Sequence, residues 1–362
     1  MRIGFVIYGS LDTITGGYLY DKFVVRGLTR RGHNIEVISI PSGSYLKRLI
    51  QGFSPRLHDR LLTGRFDILI QDELCHPTLF WVNRRLRRRA RPVLVAVVHH
   101  ILSNEPRNRL LNMILAVIER LYLSSLQGFI HNSETTRQKV SELLNHQCPE
   151  VVAYPAGDRL GNPLSSESIT KRAKRPGALE LLFLGNVIPR KGLLPLLEAL
   201  AKIDQSFWRL SIVGGLDFDS SHTARARQLA KQLGISKSVR FLGLLQNDKL
   251  IDMLKDSQLF CMPYAYEGFG IAILEAMAFG LPAIGCQDGA ASETIRHGEN
   301  GFLLAPDDIQ GLAPILLDLY HNRDKLVHLA LAASATSTES PGWQDAIEAI
   351  DDFLQELKQE HG

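Results

Sequence analysis

A chain of 362 residues, 45% of them apolar, can fill a sizeable core, but it exceeds the ~250–300 residues that a single core organises, so two domains are expected. Four well-separated cysteines, Cys75, Cys148, Cys261 and Cys286, form no CxxC pair; this argues against a zinc site and fits core thiols in a reducing compartment. The net charge of +3 hides a division, with 22 Lys and Arg against 14 Asp and Glu in residues 1–170 and 19 against 24 in residues 171–362.

Six short apolar or β-branched runs are predicted strands in the first half: 2–8, 34–40, 66–71, 92–98, 128–132 and 151–155. Amphipathic stretches separate most of them, an alternation that predicts a parallel sheet covered on both faces. After the first strand, ITGGYLY turns into a helix through Gly16 and Gly17. It lacks the GxGxxG spacing of a dinucleotide fingerprint, so an ordinary turn is its plain alternative. SYLKRLIQGFSPRLHDRLL (44–62) can form an apolar face flanked by Lys47, Arg48 and Arg56. QDELCHP (71–77) ends the third strand with Asp72, Glu73 and His76 as candidate acceptor contacts, and NRRLRRRARP carries six arginines between Arg84 and Arg91. His99 and His100 close the fourth strand, where one of them can donate a hydrogen bond to a reacting group; a lone histidine is more often structural, but two at a strand end outweigh that reading. RNRLLNMILAVIERLYL (107–123) is apolar on more than one face, which points to burial or to an apolar acceptor.

LSSESITKRAKRPG (164–177) has no periodicity and is expected to be an inter-domain linker. The strand pattern then restarts at 180–185, 208–215, 239–243, 259–263, 282–285 and 301–305. Arg190 and Lys191, in LGNVIPRKGL, stand before a helix, where two cations oppose the helix dipole unless an anion compensates; a diphosphate would do so, and a solvated basic pair is the alternative. Asp217 and Asp219 in GGLDFDSS are expected to be a polar loop. In YEGFGIAILEAMAFGLPAIG (266–285) Gly268 and Gly270 permit close backbone approach at a helix start, a phosphate-friendly arrangement. Glu275 lies about one turn inside that helix, either meeting ribose hydroxyls or standing as a surface carboxylate. Glu267 is expected to be free to reach beyond the phosphates. The tail from Ser340 has Trp343, Ile347, Ile350, Phe353 and Leu354 on one helical face, which needs a surface to cover.

Taken together, EGFGIAILEAMAFGLPAIG, VIPRKGL, DGAASETIRHGENGFLL (288–304), the Gly16-Gly17 turn and VHH followed by HNSETTRQKV (131–140) resemble the retaining, nucleotide-sugar-dependent glycosyltransferase family 4. The resemblance covers nearly the whole chain and is most specific in its second half. It implies the α/β GT-B fold: two doubly wound, Rossmann-like domains facing a central cleft. Residues 1–170 would bind acceptor, residues 171–340 would bind donor, and helix 341–362 would return to the first domain.

By the same resemblance, Arg190 and Lys191 would neutralise the diphosphate, the backbone at Phe269, Gly270 and Ile271 would bind the same phosphates and sugar, and Glu275 would hold the ribose. Glu267 would contact the hexose, Gly16 and Gly17 would approach the phosphates, and His99 would face the transferred sugar. Asn186 stands where many family members carry Arg, shifting charge neutralisation onto Arg190 and Lys191.

The implied reaction moves a hexose from UDP- or GDP-hexose with retention, and requires no metal or other cofactor. A lipid-linked acceptor is favoured and a soluble sugar or polysaccharide intermediate stands as the alternative, because the arginine run and the 44–62 face suit an anionic membrane surface. The expected location is cytoplasmic, peripheral on the cytoplasmic face of a membrane. An NAD-dependent dehydrogenase would need the missing glycine fingerprint, and a nucleic-acid binder would leave the Glu pair and Arg190-Lys191 unexplained; no nucleic-acid partner is expected.

Overall fold

The structure, a computed structural model, describes residues 1–88, 92–104, 108–144, 146–161, 164–264, 267–308 and 310–361. It divides into two compact units, Met1–Pro155 with Trp343–Gly362, and Ala156–Gly342.

The first unit runs β1 (Arg2–Tyr8), α1 (Gly16–Arg30), β2 (Asn34–Ile40), α2 (Tyr45–Gln51), α3 (Pro55–Thr63), β3 (Ile68–Asp72), α4 (His76–Leu86), β4 (Val93–Val98), α5 (Arg109–Leu123), β5 (Gly128–His131), α6 (Glu134–Leu143) and β6 (Glu150–Val152). The strands pair in parallel in the order β2-β1-β3-β4-β5-β6. β3 and β4 are buried along their whole length, as strands covered on both faces must be. α1 packs with the helix of the tail, Trp343–His361, while α4 packs with α2 and α5, and α5 with α6.

The second unit opens with α7 (Ser166–Ala173) and continues β7 (Leu179–Leu184), α8 (Leu193–Leu200), β8 (Trp208–Val213), α9 (Ser220–Gln232), β9 (Val239–Gly243), α10 (Asn247–Asp256), β10 (Leu259–Cys261), α11 (Ile271–Ala278), β11 (Ala283–Cys286), β12 (Gly301–Leu304), α12 (Leu312–His321) and α13 (Arg323–Glu339). Its parallel sheet has the order β12-β11-β10-β7-β8-β9.

Each predicted strand is present among the described residues, but the linker expectation for 164–177 fails. Residues 166–173 form α7, packed in the second unit with Ile169, Arg172 and Ala173 buried. The buried Arg172 donates its two Nη groups to the carbonyls of Gly280 at 2.5 Å and Leu254 at 3.3 Å, so a basic residue serves as an inward-facing one. Asp219 caps α9 by accepting from the His222 amide at 2.9 Å, in keeping with a polar loop role. Three of the cysteines are buried, while Cys148 is only half-buried and so is not a core thiol.

The tail forms α14 (Trp343–His361) and belongs to the first unit. Trp343 stacks on Phe23 at 4.2 Å and meets Tyr20 edge-on at 5.6 Å. Gly27 sits mid-helix in α1 because a Cβ there would come within 2.5 Å of Ile347. Asp351 accepts from His33 at 2.7 Å and from Arg31 at 3.3 Å, which fixes the register of α14. Trp343→Ala should therefore cost about 3–5 kcal/mol of stability, as buried aromatic truncations do. A thermal or urea melt showing less than about 1 kcal/mol lost would mean that α14 does not anchor the unit.

Candidate donor and histidine sites

In the second sheet β7 and β10 are neighbours, and the chain leaves them in opposite directions, toward β8 and toward β11. Ligands of open α/β sheets bind at the carboxyl ends of strands at such a switch point. The loop after β7 carries Asn186, Arg190 and Lys191, and the loop after β10 carries Glu267 to Gly270. The two motifs, 76 residues apart in sequence, thus meet because the topology reverses here.

Their backbones touch. Gly192 has φ +67°, and a Cβ on it would lie 2.5 Å from the Tyr264 carbonyl oxygen. Pro189–Lys191 is a single 3-10 turn and α8 begins only at Leu193, so the two cations precede the helix instead of occupying its first turn. Their counter-charge is Glu267: Lys191 Nζ donates to Glu267 Oε1, and Arg190 Nη1 lies 3.9 Å from Oε2. Glu267 is therefore not free, contrary to expectation, because an ammonium on a side chain only 15% exposed is stabilised by a paired anion. Burial, together with the like charge of Arg190, holds the Lys191 ammonium below its ordinary value against the pull of Glu267.

Gly289 bridges to Glu267 with φ +94°, and the Ala290 amide donates to the Glu267 carbonyl at 3.0 Å. The DGAAS segment is thus a clamp on the Glu267 backbone. Asn186 Oδ1 accepts from the Gly215 amide at 2.9 Å, so this side chain ties the β7 loop to the β8 loop.

Gly270, at φ +92°, is the N-cap of α11, with Phe269 and Ile271 buried beside it and Gly268 half-buried. Glu275 is 4% exposed on a helix that is buried nearly all round, which overturns the surface-carboxylate alternative. Its Oε1 accepts from Arg159 Nε at 2.7 Å, and Arg159 Nη1 also donates to Asn247 at 3.3 Å. Sequence reasoning missed Arg159, whose only local signal is the short DRL turn after β6.

In the first unit, Gly17 lies over the His99 ring: a Cβ there would be 3.2 Å from its Cδ2. His99 Nε2 donates to Asp21 Oδ1 at 3.0 Å, Tyr20 meets the ring edge-on at 5.4 Å, and Asn132 Nδ2 donates to the His99 carbonyl at 3.1 Å. HNSETTRQKV thus supports this loop, while Gly16 has open space around it and His100 is half-buried. Burial disfavours the imidazolium, but the Asp21 carboxylate more than offsets it and raises His99 to about 9. Burial and then Asp21 push Asp72 up to about 8.

Asp21, fully buried, was missed as well. Its signal is its place four residues after Gly17 on the helical face that also carries Val24 and Leu28. The donor atoms of Asp21, Asp72 and His99 lie within 4.8 Å of one another, and the His99–Asp21 hydrogen bond joins two of the three.

Glu73 and His76, like Asp72, are only about 1% exposed, so as packed they line the interior of the unit and not an open acceptor surface. Burial pushes His76 down to about 4, so the ring is neutral. Its Nδ1 donates to the Glu73 carbonyl at 3.1 Å and its Nε2 accepts from Tyr45 at 3.2 Å.

The two parallel, doubly wound units, one with paired cations at its switch point, have the architecture of the GT-B fold. Residues 165–336 match the family model of the glycosyl transferases group 1. It is 28% identical over 380 aligned residues to a phosphatidyl-myo-inositol mannosyltransferase of Mycobacterium leprae, covering 95% of this chain and 93% of the relative. The fold is shared with sucrose-phosphate synthase of Thermosynechococcus elongatus, with TM-score 0.82, 17% identity and coverage of 99% of this chain and 100% of that one. It is shared also with Anabaena HepE in complex with UDP-glucose, with TM-score 0.79, 21% identity and coverage of 98% and 100%.

Proposed function

We propose that the chain transfers a hexose from UDP- or GDP-hexose to the hydroxyl of a lipid-linked acceptor, with retention of anomeric configuration. The observation that carries this reading is the Lys191–Glu267 pair beside Arg190 at the switch point of the second unit. In the donor complex the diphosphate takes the place of Glu267 as counter-ion to Lys191, and Glu267 turns to the hexose. Arg190 shares the diphosphate charge, the amides at the start of α11 add donors, and Glu275, oriented by Arg159, accepts from the ribose hydroxyls.

As the bond from the anomeric carbon to the diphosphate breaks, charge grows on the leaving oxygen, and preorganised donors stabilise it. The acceptor oxygen bonds to the anomeric carbon on the face the diphosphate leaves, and its proton passes to the departing phosphate. His99, held as imidazolium, donates to the reacting sugar. Arg190 and Lys191 supply the positive charge, so transfer should survive a chelator. The first unit binds the acceptor; the name of the mycobacterial relative, which acts on a phosphatidylinositol, supports the lipid class. Among the described residues no helix is long and apolar enough to cross a membrane; the donor and acceptor together suit a protein peripheral on the cytoplasmic face of a membrane.

The test is a thermal-shift screen of nucleotide sugars followed by transfer assays with the product anomer read by NMR. A matched donor at 100 times its Kd should stabilise the native state by about 2.7 kcal/mol. No shift with any nucleoside-diphosphate hexose, or a product of inverted configuration, would sink the reading; transfer only to a soluble sugar would remove its lipid half.

A further inference from the structure

α5 was expected to be buried or to hold an apolar acceptor, yet only one of its sides packs inward. Leu115, Tyr122 and Leu123 are buried, whereas Leu110, Met113, Ile114 and Val117 are 55–68% exposed. Leu110, Ile114, Val117 and Leu121 follow one another at four- and three-residue steps, so they form a continuous stripe along the helix. A soluble surface rarely leaves so much contiguous apolar area in water without a partner.

The stripe continues on the neighbouring helices of the same layer. α4 packs against both α5 and α2. Trp81 on α4 is 43% exposed, Phe53 lies 6.3 Å from it, and the Arg84 guanidinium lies 5.2 Å from its ring centre. An aromatic ring next to an arginine at the edge of an apolar face suits the boundary between acyl chains and headgroups.

Charge identifies the partner. Arg84, Arg85, Arg87 and Arg88 are all exposed at the end of α4, and Arg109 and Arg120 are exposed on α5. Between Ser44 and Leu123 the sequence holds fourteen Lys and Arg against six Asp and Glu, and three of those acids, Asp72, Glu73 and Glu119, are buried. A second copy of this chain would set these cations against themselves, whereas an anionic headgroup layer complements them. With 15 residues α5 is about 22 Å long, too short for the ~30 Å of a hydrocarbon core, so it lies in the interface plane. Arg89 and Arg91 of the run lie outside the described residues.

We propose that the outer face of α2, α4 and α5 docks on an anionic phospholipid bilayer, with the exposed stripe of α5 entering the acyl region. The inference rests on the lipid-acceptor reading for its purpose, because it would bring the enzyme to a membrane-bound acceptor. Its physical test needs neither donor nor acceptor.

The full chain is sedimented with vesicles of phosphatidylcholine alone and with vesicles of equimolar phosphatidylcholine and phosphatidylglycerol. Binding to the mixed vesicles should be at least about tenfold tighter than to the neutral ones and should weaken with salt. Trp81 emission should shift to the blue on binding, since Trp208 and Trp343 are already buried.

Ile114→Glu with Val117→Glu should reduce binding by about tenfold or more while leaving the melt and the response to nucleotide sugars unchanged. Arg84→Glu with Arg88→Glu should weaken only the salt-dependent part. Vesicle binding unaltered by the α5 double variant would overturn the proposal. So would self-association that the variant abolishes together with no vesicle binding, which would make the stripe an interface between copies. Loss of transfer activity with vesicle binding intact would count against the proposed function and not against this surface.

Discussion

Lys191→Ala should lower kcat/KM by roughly 10²–10³-fold, the scale for removing one preorganised charge donor from a transfer site. The geometry gives the effect two parts. Lys191 is half-buried and its ammonium is committed to Glu267, so in the free protein the variant removes the cation paired with Glu267 and keeps the 3.9 Å contact to Arg190. In the proposed donor complex it would remove one of the two cations that neutralise the departing diphosphate. Steady-state kinetics reads the second part and a melt of the free protein reads the first.

A companion variant separates them. If the diphosphate displaces Glu267 from Lys191, then Glu267→Gln removes a competitor, and nucleoside diphosphate alone should bind more tightly even as transfer slows. Weaker nucleoside-diphosphate binding in Glu267→Gln would show that the carboxylate helps to hold the donor and that the displacement step is wrong. Lys191→Arg should not restore full activity, because a planar guanidinium does not fit a space shaped around an ammonium point charge.

The same pair marks where sequence reasoning stops. Strands were legible because both faces of each sheet are covered, so a run such as VLVAVV is apolar at every position. The loops at the switch point were legible by their glycines. What no spacing reveals is the partner of a charge: Lys191 and Glu267 are 76 residues apart, His99 and Asp21 are 78, and Arg159 and Glu275 are 116.

Each of these pairs replaces a solvent contact with a tertiary one, and each changes the expected role of its residue. Glu267 looked free and is a counter-ion. Glu275 could have been a surface carboxylate and is buried. α7 was hidden for a related reason, since one of its three inward-facing side chains is Arg172, whose partners are the carbonyls of Gly280 and of Leu254 in α10, far away in sequence. α5 erred the other way: its sequence is apolar enough for burial on two sides, and the fold covers only one.

The second large effect is expected at Asp21. His99→Ala should lower kcat by about 10²-fold if the imidazolium donates to charge that develops in the transition state. Asp21 touches no substrate in this reading; it is a positioning residue that fixes the ring through Nε2 and keeps it protonated. The sign follows from the shift. With His99 raised to about 9, activity that needs the imidazolium should persist through neutral pH and fall as the pH rises through about 9. The stability contributed by the pair is fully present below the unfolded-state value near 6.5 and is lost as the pH rises through the folded value.

Asp21→Asn keeps the size and a hydrogen-bonding group but removes the charge, so burial should win and the alkaline limb of the kcat profile should move down by one or more pH units toward or below ~6.5. A variant that merely loosened α1 would lower kcat or the melting temperature without moving that limb. An Asp21→Asn enzyme with the wild-type limb near 9 would therefore assign the titration to another group, Asp72 being the nearest alternative because it is itself raised to about 8. His99→Ala retaining full kcat would remove the histidine from the reaction and leave the Asp21 pair as a device of stability alone.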